Sequence, residues 1–372
     1  MARQARHRSI REVVSSGNGS GSGILILAAG GSSGILEAAE PLLLSRRLHG
    51  SERRVRLISL ERSNGSRANN TGSIGRVIGW LAGNCSKFAQ LCRVIPQYEI
   101  THIFPASGKG LLTHLALPII LGRFFGKRVL LSYDGSEQEL LAGNIGSLKM
   151  RLIASCDAVT VNSRGLSLGL QNRDINADFV YRMFDEDRVP PAEIDRVTPR
   201  ILVALPLERL HSLPCVIKAF KLVKQKYPRA ELVIFGQGRQ ARLLQSMISD
   251  ERLVGATVDA SGGEESFFEQ LRQSDVLVNS SALDYVPASI LVAMAAGLPV
   301  VTTQHPSTSE LIEDRTNGLF FKVNDHQVLA DRLIELVESP ELVGRLARQG
   351  RQSASRYQWK HTENQWRRFY RA

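Results

Sequence analysis

Short apolar runs alternate with longer segments of helical periodicity along almost the whole chain. The runs are rich in isoleucine, leucine and valine, as buried strands are. They lie at residues 24–27, 55–60, 100–104, 128–131, 158–161 and 179–180, and again at 200–205, 231–235, 256–259, 275–279 and from 300 onward. Strands and helices that alternate at this spacing predict parallel sheets with helices on both faces. The predicted fold class is therefore α/β, with doubly wound sheets.

A polar segment divides these runs into two series. Residues 186–199 are charged and contain three prolines, so they are predicted to be a linker. Because 372 residues are enough for two cores, we expect Rossmann-like domains at residues 21–185 and 200–355. Residues 1–20 are basic and then rich in serine and glycine, which predicts a disordered tail.

The stretch from Leu283 to Thr303 predicts a loop, a helix, a tight turn and a strand. Pro287 suits the first helical turn, and Gly297 follows the last apolar position of the helix, where a left-handed residue ends many helices. Asp284 therefore precedes a helix N-terminus, whose free N–H groups suit a ligand with phosphates and hydroxyls. An ordinary loop is the alternative that the spacing leaves open.

Loop residues follow the predicted strands of the first domain as well. Ligands of parallel sheets bind outside the carboxyl ends of the strands. Gly30 and Gly31 lie at such an end, and so do Asp134 and Glu137, which could act as acid, base or acceptor of a sugar hydroxyl. A simple turn role is the alternative for all four, since the glycines do not have the dinucleotide-binding spacing and an Asp-Gly pair is common in turns.

Charge and cysteine content limit the partners and the compartment. The formal net charge is +11, which favours anionic partners such as nucleotide phosphates or an acidic membrane face. No zinc-finger spacing or aromatic RNA-binding signature is present, so we expect no nucleic acid partner. The four cysteines form no Cys-x-x-Cys pair, which predicts reduced thiols in a cytoplasmic protein. The apolar run at residues 110–125 is interrupted by polar residues and is predicted to be a buried helix.

From about residue 24 to residue 370 the chain resembles the GT-B glycosyltransferases of the large retaining family 4 (group 1). The motifs that carry this resemblance stand in the family's order and spacing. They are Gly236-x-Gly238, the run from Ser274 to Ser280, Asp284-x-x-Pro287-x-Ser289, Ala293 to Val301 with Gly297 and Pro299, Glu310-Leu311-Ile312, and Asn317-Gly318-Leu319.

The resemblance implies two domains that face each other across a cleft. The C-terminal domain would hold a nucleotide sugar, the N-terminal domain would receive the acceptor, and residues 356–372 would form a helix that crosses back to the N-terminal domain. No metal cofactor would be needed. The reaction would transfer a sugar to a glycan or lipid-linked acceptor with retention of configuration, in the cytoplasm or at the inner face of the membrane, with peripheral membrane contact as an open alternative.

The same resemblance implies roles for particular residues. The expected catalytic residues are Asp284 and Asp134. The expected donor-binding residues are Glu208, His211, Gly236, Gly238, Asp284, Ser289 and Glu310. The acceptor side would include Gly30, Gly31 and Glu137.

Six residues depart from the family pattern, and among them Asp284, His211 and Ser307 stand where the family has a glutamate, a lysine and a glycine. Val292 stands where the family has a glutamate that accepts from the ribose, Pro206 stands where it has a diphosphate-binding arginine, and Pro306 replaces one of two glycines before Glu310. These departures favour an alternative in which the chain is a catalytically impaired GT-B paralogue that acts as a binding or regulatory subunit. A nucleotide-sugar epimerase on the same fold is a third alternative.

Overall fold

Two parallel sheets form the centres of the two halves of the chain. The computed structural model describes residues 13–14, 23–28, 44, 54–59, 88–105, 115–133, 146–180, 183–184, 186–192 and 199–371. Within them, the alternation of strands and helices predicted from the sequence is confirmed, and the α/β fold of two domains with it.

The N-terminal sheet contains seven strands in the order β1-β3-β2-β4-β5-β6-β7. Only β1 is antiparallel to its neighbour. The strands are β1 (Val13–Val14), β2 (Ile24–Ala28), β3 (Val55–Ser59), β4 (Ile100–Phe104), β5 (Arg128–Tyr133), β6 (Ala158–Val161) and β7 (Asp178–Phe179). All five residues of β2 are buried, because helices cover both faces of the sheet and a continuous apolar run is then the stable pattern.

Helices follow most of these strands in the first domain. Residues 88–94 are helical and continue into a 3₁₀ turn at Ile95–Gln97. The labelled helices of this domain are α1 (Leu117–Phe124), α2 (Gly146–Ala154) and α3 (Arg164–Gln171). Ser163 precedes α3 and its side chain accepts a hydrogen bond from the Leu166 N–H, which explains why the helix begins there.

The C-terminal sheet contains six parallel strands in the order β10-β9-β8-β11-β12-β13. They are β8 (Arg200–Ala204), β9 (Glu231–Phe235), β10 (Ala256–Asp259), β11 (Val276–Asn279), β12 (Val300–Thr303) and β13 (Leu319–Phe321). The helices are α4 (Leu213–Lys226), α5 (Ala241–Asp250), α6 (Glu264–Arg272), α7 (Ala288–Ala296), α8 (Pro306–Leu311), α9 (His326–Glu338), α10 (Pro340–Ala354) and α11 (Trp359–Arg371).

The last helix, α11, packs against the N-terminal sheet. Trp366, Phe369 and Tyr370 lie in one buried cluster with apolar residues of β2, β3 and β4. The hydroxyl of Tyr370 lies 2.5 Å from Nδ1 of the buried His102 on β4, and the opposite ring nitrogen of His102 lies 2.7 Å from the Ser132 hydroxyl on β5. A polar contact inside an apolar cluster therefore fixes α11 on this sheet.

Two local predictions differ from the structure. Pro287 is the N-cap of α7 and not its first helical residue, since its ψ of 143° is extended. In the 110–125 region, α1 buries only one face, and Ile120 and Phe124 are exposed because they point away from the sheet. Among the described residues, no helix is both long and apolar enough to cross a bilayer.

The first part of the predicted linker contacts the C-terminal domain. Glu186–Arg188 form a 3₁₀ turn, and the Arg188 guanidinium pairs with Glu264 at 2.5 Å and also with Glu265. Both carboxylates are in the first turn of α6. The position of this segment is thus fixed by charge pairs on one domain.

Candidate functional site

The strand order of the C-terminal sheet predicts a ligand-binding crevice at its carboxyl edge. Strand β8 pairs with β9 on one side and with β11 on the other, so the chain reverses direction across the sheet at β8. Ligands of open α/β sheets bind at such a switch point. The loops that follow β8, β9, β11 and β12 meet there.

The glycine loop after β9 lies directly against the loop after β8. A Cβ atom on Gly236 would lie 2.0 Å from the carbonyl oxygen of Leu205, and one on Gly238 would lie 2.4 Å from that of Leu207. Two backbone hydrogen bonds hold the loops together, from Leu207 N to the Gln237 oxygen and from Gln240 N to the Leu207 oxygen. Glycine is required at both positions because any side chain would separate the loops.

Glu208 supports this glycine loop. One of its carboxylate oxygens accepts a hydrogen bond from the Arg239 backbone N–H at 3.3 Å, and the same oxygen lies 3.6 Å from Nε of the Arg239 side chain. The side chain of Arg239 is 79% exposed. The edge of the crevice therefore presents a cation just after the glycine loop, and Glu208 positions it.

His211 is buried at the bottom of the loop after β8. Its Nδ1 lies 3.1 Å from the Ser281 hydroxyl, and its carbonyl oxygen accepts a hydrogen bond from Ser280 at 2.6 Å. Burial lowers the pKa of the imidazole to about 4, so the ring is neutral at neutral pH. His211 offers this crevice a hydrogen bond and no positive charge.

Asp284 joins the loop after β11 to the start of α8. Its carboxylate accepts a hydrogen bond from the Ser307 N–H at 2.8 Å. The hydroxyl of Ser307 lies 2.9 Å from that of Ser163, which caps α3 in the N-terminal domain, and both side chains are buried. The two domains thus touch through a short polar chain that includes Asp284.

Glu310, on α8, faces a cation of the other domain. Its carboxylate is 35% exposed and lies 3.8 Å from Nε of Arg164, the first residue of α3. Burial raises the pKa of Glu310 and the nearby Asp284 raises it further, whereas Arg164 lowers it. Two carboxylates and one guanidinium therefore meet between the two sheets.

Three other residues named in the sequence analysis, Ser289, Val292 and Gly297, stabilise the structure around α7. The Ser289 hydroxyl donates to the Ala204 carbonyl at 3.2 Å and is buried, so it ties α7 to β8. Val292 is packed in the apolar cluster beneath α7. Gly297 ends α7 with a φ of 89°, the left-handed conformation predicted for it.

Four predicted site residues, Gly30, Gly31, Asp134 and Glu137, lie outside the described residues. Sequence reasoning missed Ser163, Arg164 and Ser307, which form the contact between the domains. The rule that ligands bind at strand ends could have found the first two, because both follow β6 directly. Among residues that the structure describes, no three His, Cys, Asp or Glu side chains group as metal ligands.

Residues 197–353 match the family model of glycosyl transferases group 1. This range contains the loops of the C-terminal domain that surround the crevice, but not α3 of the N-terminal domain. The C-terminal domain is therefore similar to the group 1 glycosyltransferases. The solved structure of HepE from Anabaena, in complex with UDP and glucose, is similar to the chain with a TM-score of 0.68 and 16% identity, over 93% of this chain and 98% of that one. At this identity the likeness shows the fold, which is GT-B.

Two curated relatives match part of the chain. Alpha-monoglucosyldiacylglycerol synthase of Acholeplasma laidlawii is 27% identical over 161 residues, 42% of this chain and 39% of that protein. Amylovoran biosynthesis glycosyltransferase AmsK of Erwinia amylovora is 29% identical over 144 residues, 37% of this chain and 35% of that protein. The matches span well under half of the relatives' own length.

Proposed function

We propose that this protein transfers a sugar from a nucleotide-sugar donor to a glycan or lipid-linked acceptor, with retention of configuration. The observation that carries the proposal is the meeting of Asp284, Glu310 and Arg164 at the carboxyl edge of the sheet that also carries the glycine loop. Carboxylates accept hydrogen bonds from sugar hydroxyls, and guanidinium groups bind phosphate oxygens. The crevice thus offers both kinds of group that a nucleotide sugar requires.

In this proposal the donor lies at the carboxyl edge of the C-terminal sheet. Asp284 and Glu310 contact the sugar, and the backbone of Gly236 and Gly238 lets the nucleotide approach closely. Arg239 is one of the cations available to the diphosphate at this edge, where Pro206 stands in place of the arginine expected from the resemblance. Stabilising the charge that develops on a leaving diphosphate is usually the largest part of such catalysis.

The remaining assignments are also proposals. On the resemblance, Asp134 is assigned to catalysis, and Gly30, Gly31 and Glu137 are assigned to binding of the acceptor. Ser289, Glu208 and His211 hold the donor loops in position through the contacts described above. The reaction uses no metal cofactor. The protein works in the cytoplasm, and at the inner face of the membrane when the acceptor is lipid-linked.

The first test is thermal stability with millimolar UDP, GDP, ADP and their common sugar conjugates. A ligand at about a hundred times its dissociation constant stabilises the folded state by roughly 2.7 kcal/mol, which a melting curve resolves. UDP and UDP-glucose come first, because UDP and glucose are bound in the HepE structure. One nucleotide family is expected to raise the melting temperature.

Two variants locate the site of this effect. Glu310→Gln removes one carboxylate charge from the crevice and is expected to reduce the shift given by the sugar conjugate more than that given by the free nucleotide. Glu313→Gln is the matched control, because Glu313 is an exposed glutamate just after α8. An equal loss in both variants would contradict the assigned site.

Product analysis separates the competing reactions. Transfer with retention gives a product whose anomeric proton coupling matches that of the donor sugar, as measured by NMR. Conversion of free nucleotide sugar without any acceptor would identify an epimerase. A melting temperature that none of the nucleotides raises would refute the donor site. It would favour the alternative in which the chain is a binding or regulatory subunit.

A further inference from the structure

A cavity of about 540 Å³ lies at the amino edge of the C-terminal sheet, opposite the edge that would hold the donor. Asp275 and Val276 at the start of β11 and Gly297 just before β12 border it on the sheet side. Ala192 and Pro199 border it on the side of the predicted linker. Its volume is in the range of small-molecule pockets, roughly 300 to 1,000 Å³. We refer to it as the amino-edge cavity.

Helices α9 and α10 supply the apolar wall of the amino-edge cavity. Leu333, Leu336 and Val337 recur at helical spacing on α9, and the first two are buried. Val343 and Ala347 stand one turn apart on α10 and line the same cavity. Aliphatic side chains from two helices thus surround this space, which suits an aliphatic ligand.

The rim of the cavity carries two guanidinium groups of α10, those of Arg348 and Arg351. Within the described part of the chain, the guanidinium of Arg348 makes no ion pair or hydrogen bond, and Arg351 pairs with no carboxylate. Instead, Nη2 of Arg351 donates to the carbonyl oxygen of Ala296 at 3.0 Å. Asp275 also lines the cavity, and one of its oxygens accepts from the Arg200 backbone N–H at 2.7 Å. Two cations and one carboxylate therefore give the apolar cavity a positive rim.

Gly344 leaves space in the wall of this cavity. It lies in the interior of α10, where glycine costs roughly 0.5–1 kcal/mol relative to alanine. A Cβ atom there would meet only Nη1 of Arg348, at 3.4 Å, which is the end of a flexible side chain. Neither a backbone clash nor a left-handed φ requires glycine at this position, so the absent side chain leaves room for a ligand beside Arg348.

We propose that the amino-edge cavity binds a small anion with an aliphatic body, such as a medium-chain carboxylate. The aliphatic body lies between α9 and α10, where its burial supplies most of the binding free energy. The acidic group accepts charge-assisted hydrogen bonds from Arg348 and Arg351 at the rim. This site is separate from the proposed function, because it lies at the opposite edge of the sheet and takes no sugar or nucleotide.

The experiment is isothermal titration calorimetry of the full chain with decanoate, below its micelle concentration. The wild type is expected to bind one decanoate with a negative change in heat capacity, the mark of apolar burial. Decyltrimethylammonium has a chain of the same length and the opposite charge. It is expected to bind at least about tenfold more weakly, because the guanidinium groups repel it.

Gly344→Leu tests whether decanoate occupies this cavity. The leucine side chain fills the space beside Arg348, so binding is expected to be lost. The melting temperature is expected to be at least that of the wild type, because leucine favours the helix more than glycine does. Loss of decanoate binding in a variant of undiminished stability would therefore be due to the filled cavity.

A matched pair of arginine variants tests the position of the acidic group. Arg348→Gln is expected to weaken decanoate binding about two- to fivefold, the value of an exposed ion pair. Arg345→Gln is the control, because Arg345 lies one turn earlier on α10 and does not line the cavity. Equal affinities of these two variants would contradict the assigned rim.

The proposal is overturned if decanoate does not bind, if the cation binds equally well, or if Gly344→Leu keeps the wild-type affinity. Glu310→Gln, altered at the opposite edge of the sheet, is expected to bind decanoate like the wild type. Because decanoate is titrated without any nucleotide, a failure here leaves the donor-site test unaffected, and a failure of the donor-site test leaves this site unaffected.

Discussion

His102 gives the sharpest test of how α11 is held on the N-terminal sheet. The ring is fully buried, with Tyr370 and Ser132 at hydrogen-bond distance from its two nitrogens. Burial lowers its pKa from 6.5 to about 3, because a charged imidazole cannot be hydrated there. The folded protein therefore keeps this ring neutral well below the pH at which an exposed imidazole takes up a proton.

The consequence for stability follows from proton linkage. Above the ordinary pKa of histidine, His102 binds no proton in either the folded or the unfolded state. Its full contribution to the free energy of unfolding is then present. Below that pKa, His102 is protonated in the unfolded chain but stays neutral in the folded chain. The free energy of unfolding therefore falls as the pH falls. At pH 5.5 the unfolded ring is protonated about ten to one, which costs roughly 1 to 2 kcal/mol relative to pH 7.5. This value does not depend on the folded pKa as long as that pKa lies well below 5.5.

The perturbation is His102→Gln, which removes the titrating group and keeps a donor and an acceptor. Urea unfolding is followed by tryptophan fluorescence, since Trp366 lies 5.9 Å from His102 between ring centres. The loss of stability between pH 7.5 and 5.5 is expected to be smaller in the variant by roughly 1 to 2 kcal/mol. His361→Gln is the control, because His361 is exposed on α11. Identical pH dependence of the wild type and of His102→Gln would refute this reasoning.

Three further outcomes follow from the contacts of the C-terminal domain. Gly238→Ala is expected to destabilise the protein by at least about 2 kcal/mol in urea unfolding, because its Cβ would overlap the Leu207 carbonyl and the backbone must shift. Gly297→Ala is expected to cost about 1 kcal/mol or more, since φ is 89° and a side chain of α10 occupies the space; an unchanged unfolding midpoint would contradict this. Arg164→Gln removes the group that lowers the pKa of Glu310, so that pKa rises. The acid side of the pH profile of donor binding or turnover is then expected to move to higher pH. Arg164→Lys keeps the positive charge and is expected to leave that profile as in the wild type.

The regular parts of the fold could be predicted from the sequence because their signals are local. Strands such as β2 are buried on both faces, so each is a continuous apolar run that needs no partner to be recognised. The end of α7 could also be predicted from the sequence, because Gly297 is followed by Pro299. The glycine loop was recognised through the family resemblance, but the structure supplies the reason for the glycines, which is the contact with the carbonyl oxygens of Leu205 and Leu207.

The polar contacts that join distant segments could not be predicted. His102 stands alone in an apolar strand, and its partner Tyr370 is 268 positions away. Ser163 and Ser307 are 144 positions apart, and neither has a neighbour in the sequence that marks it. His211 was expected to serve the donor, and only its burial shows that it is neutral. Pairing at such separation depends on which loops the two sheets bring together, and no local pattern encodes that.

The carboxylates of the proposed donor site depend on both domains. Asp284 is held through Ser307, which in turn contacts Ser163, and Glu310 faces Arg164. A donor sugar that binds these carboxylates must share or replace contacts made by the N-terminal domain. Its binding free energy then includes a term for the position of that domain, so the donor and the relative position of the domains affect each other reciprocally. A replacement at Ser163 or Arg164, in the domain that would bind the acceptor, is therefore expected to change the affinity for the donor.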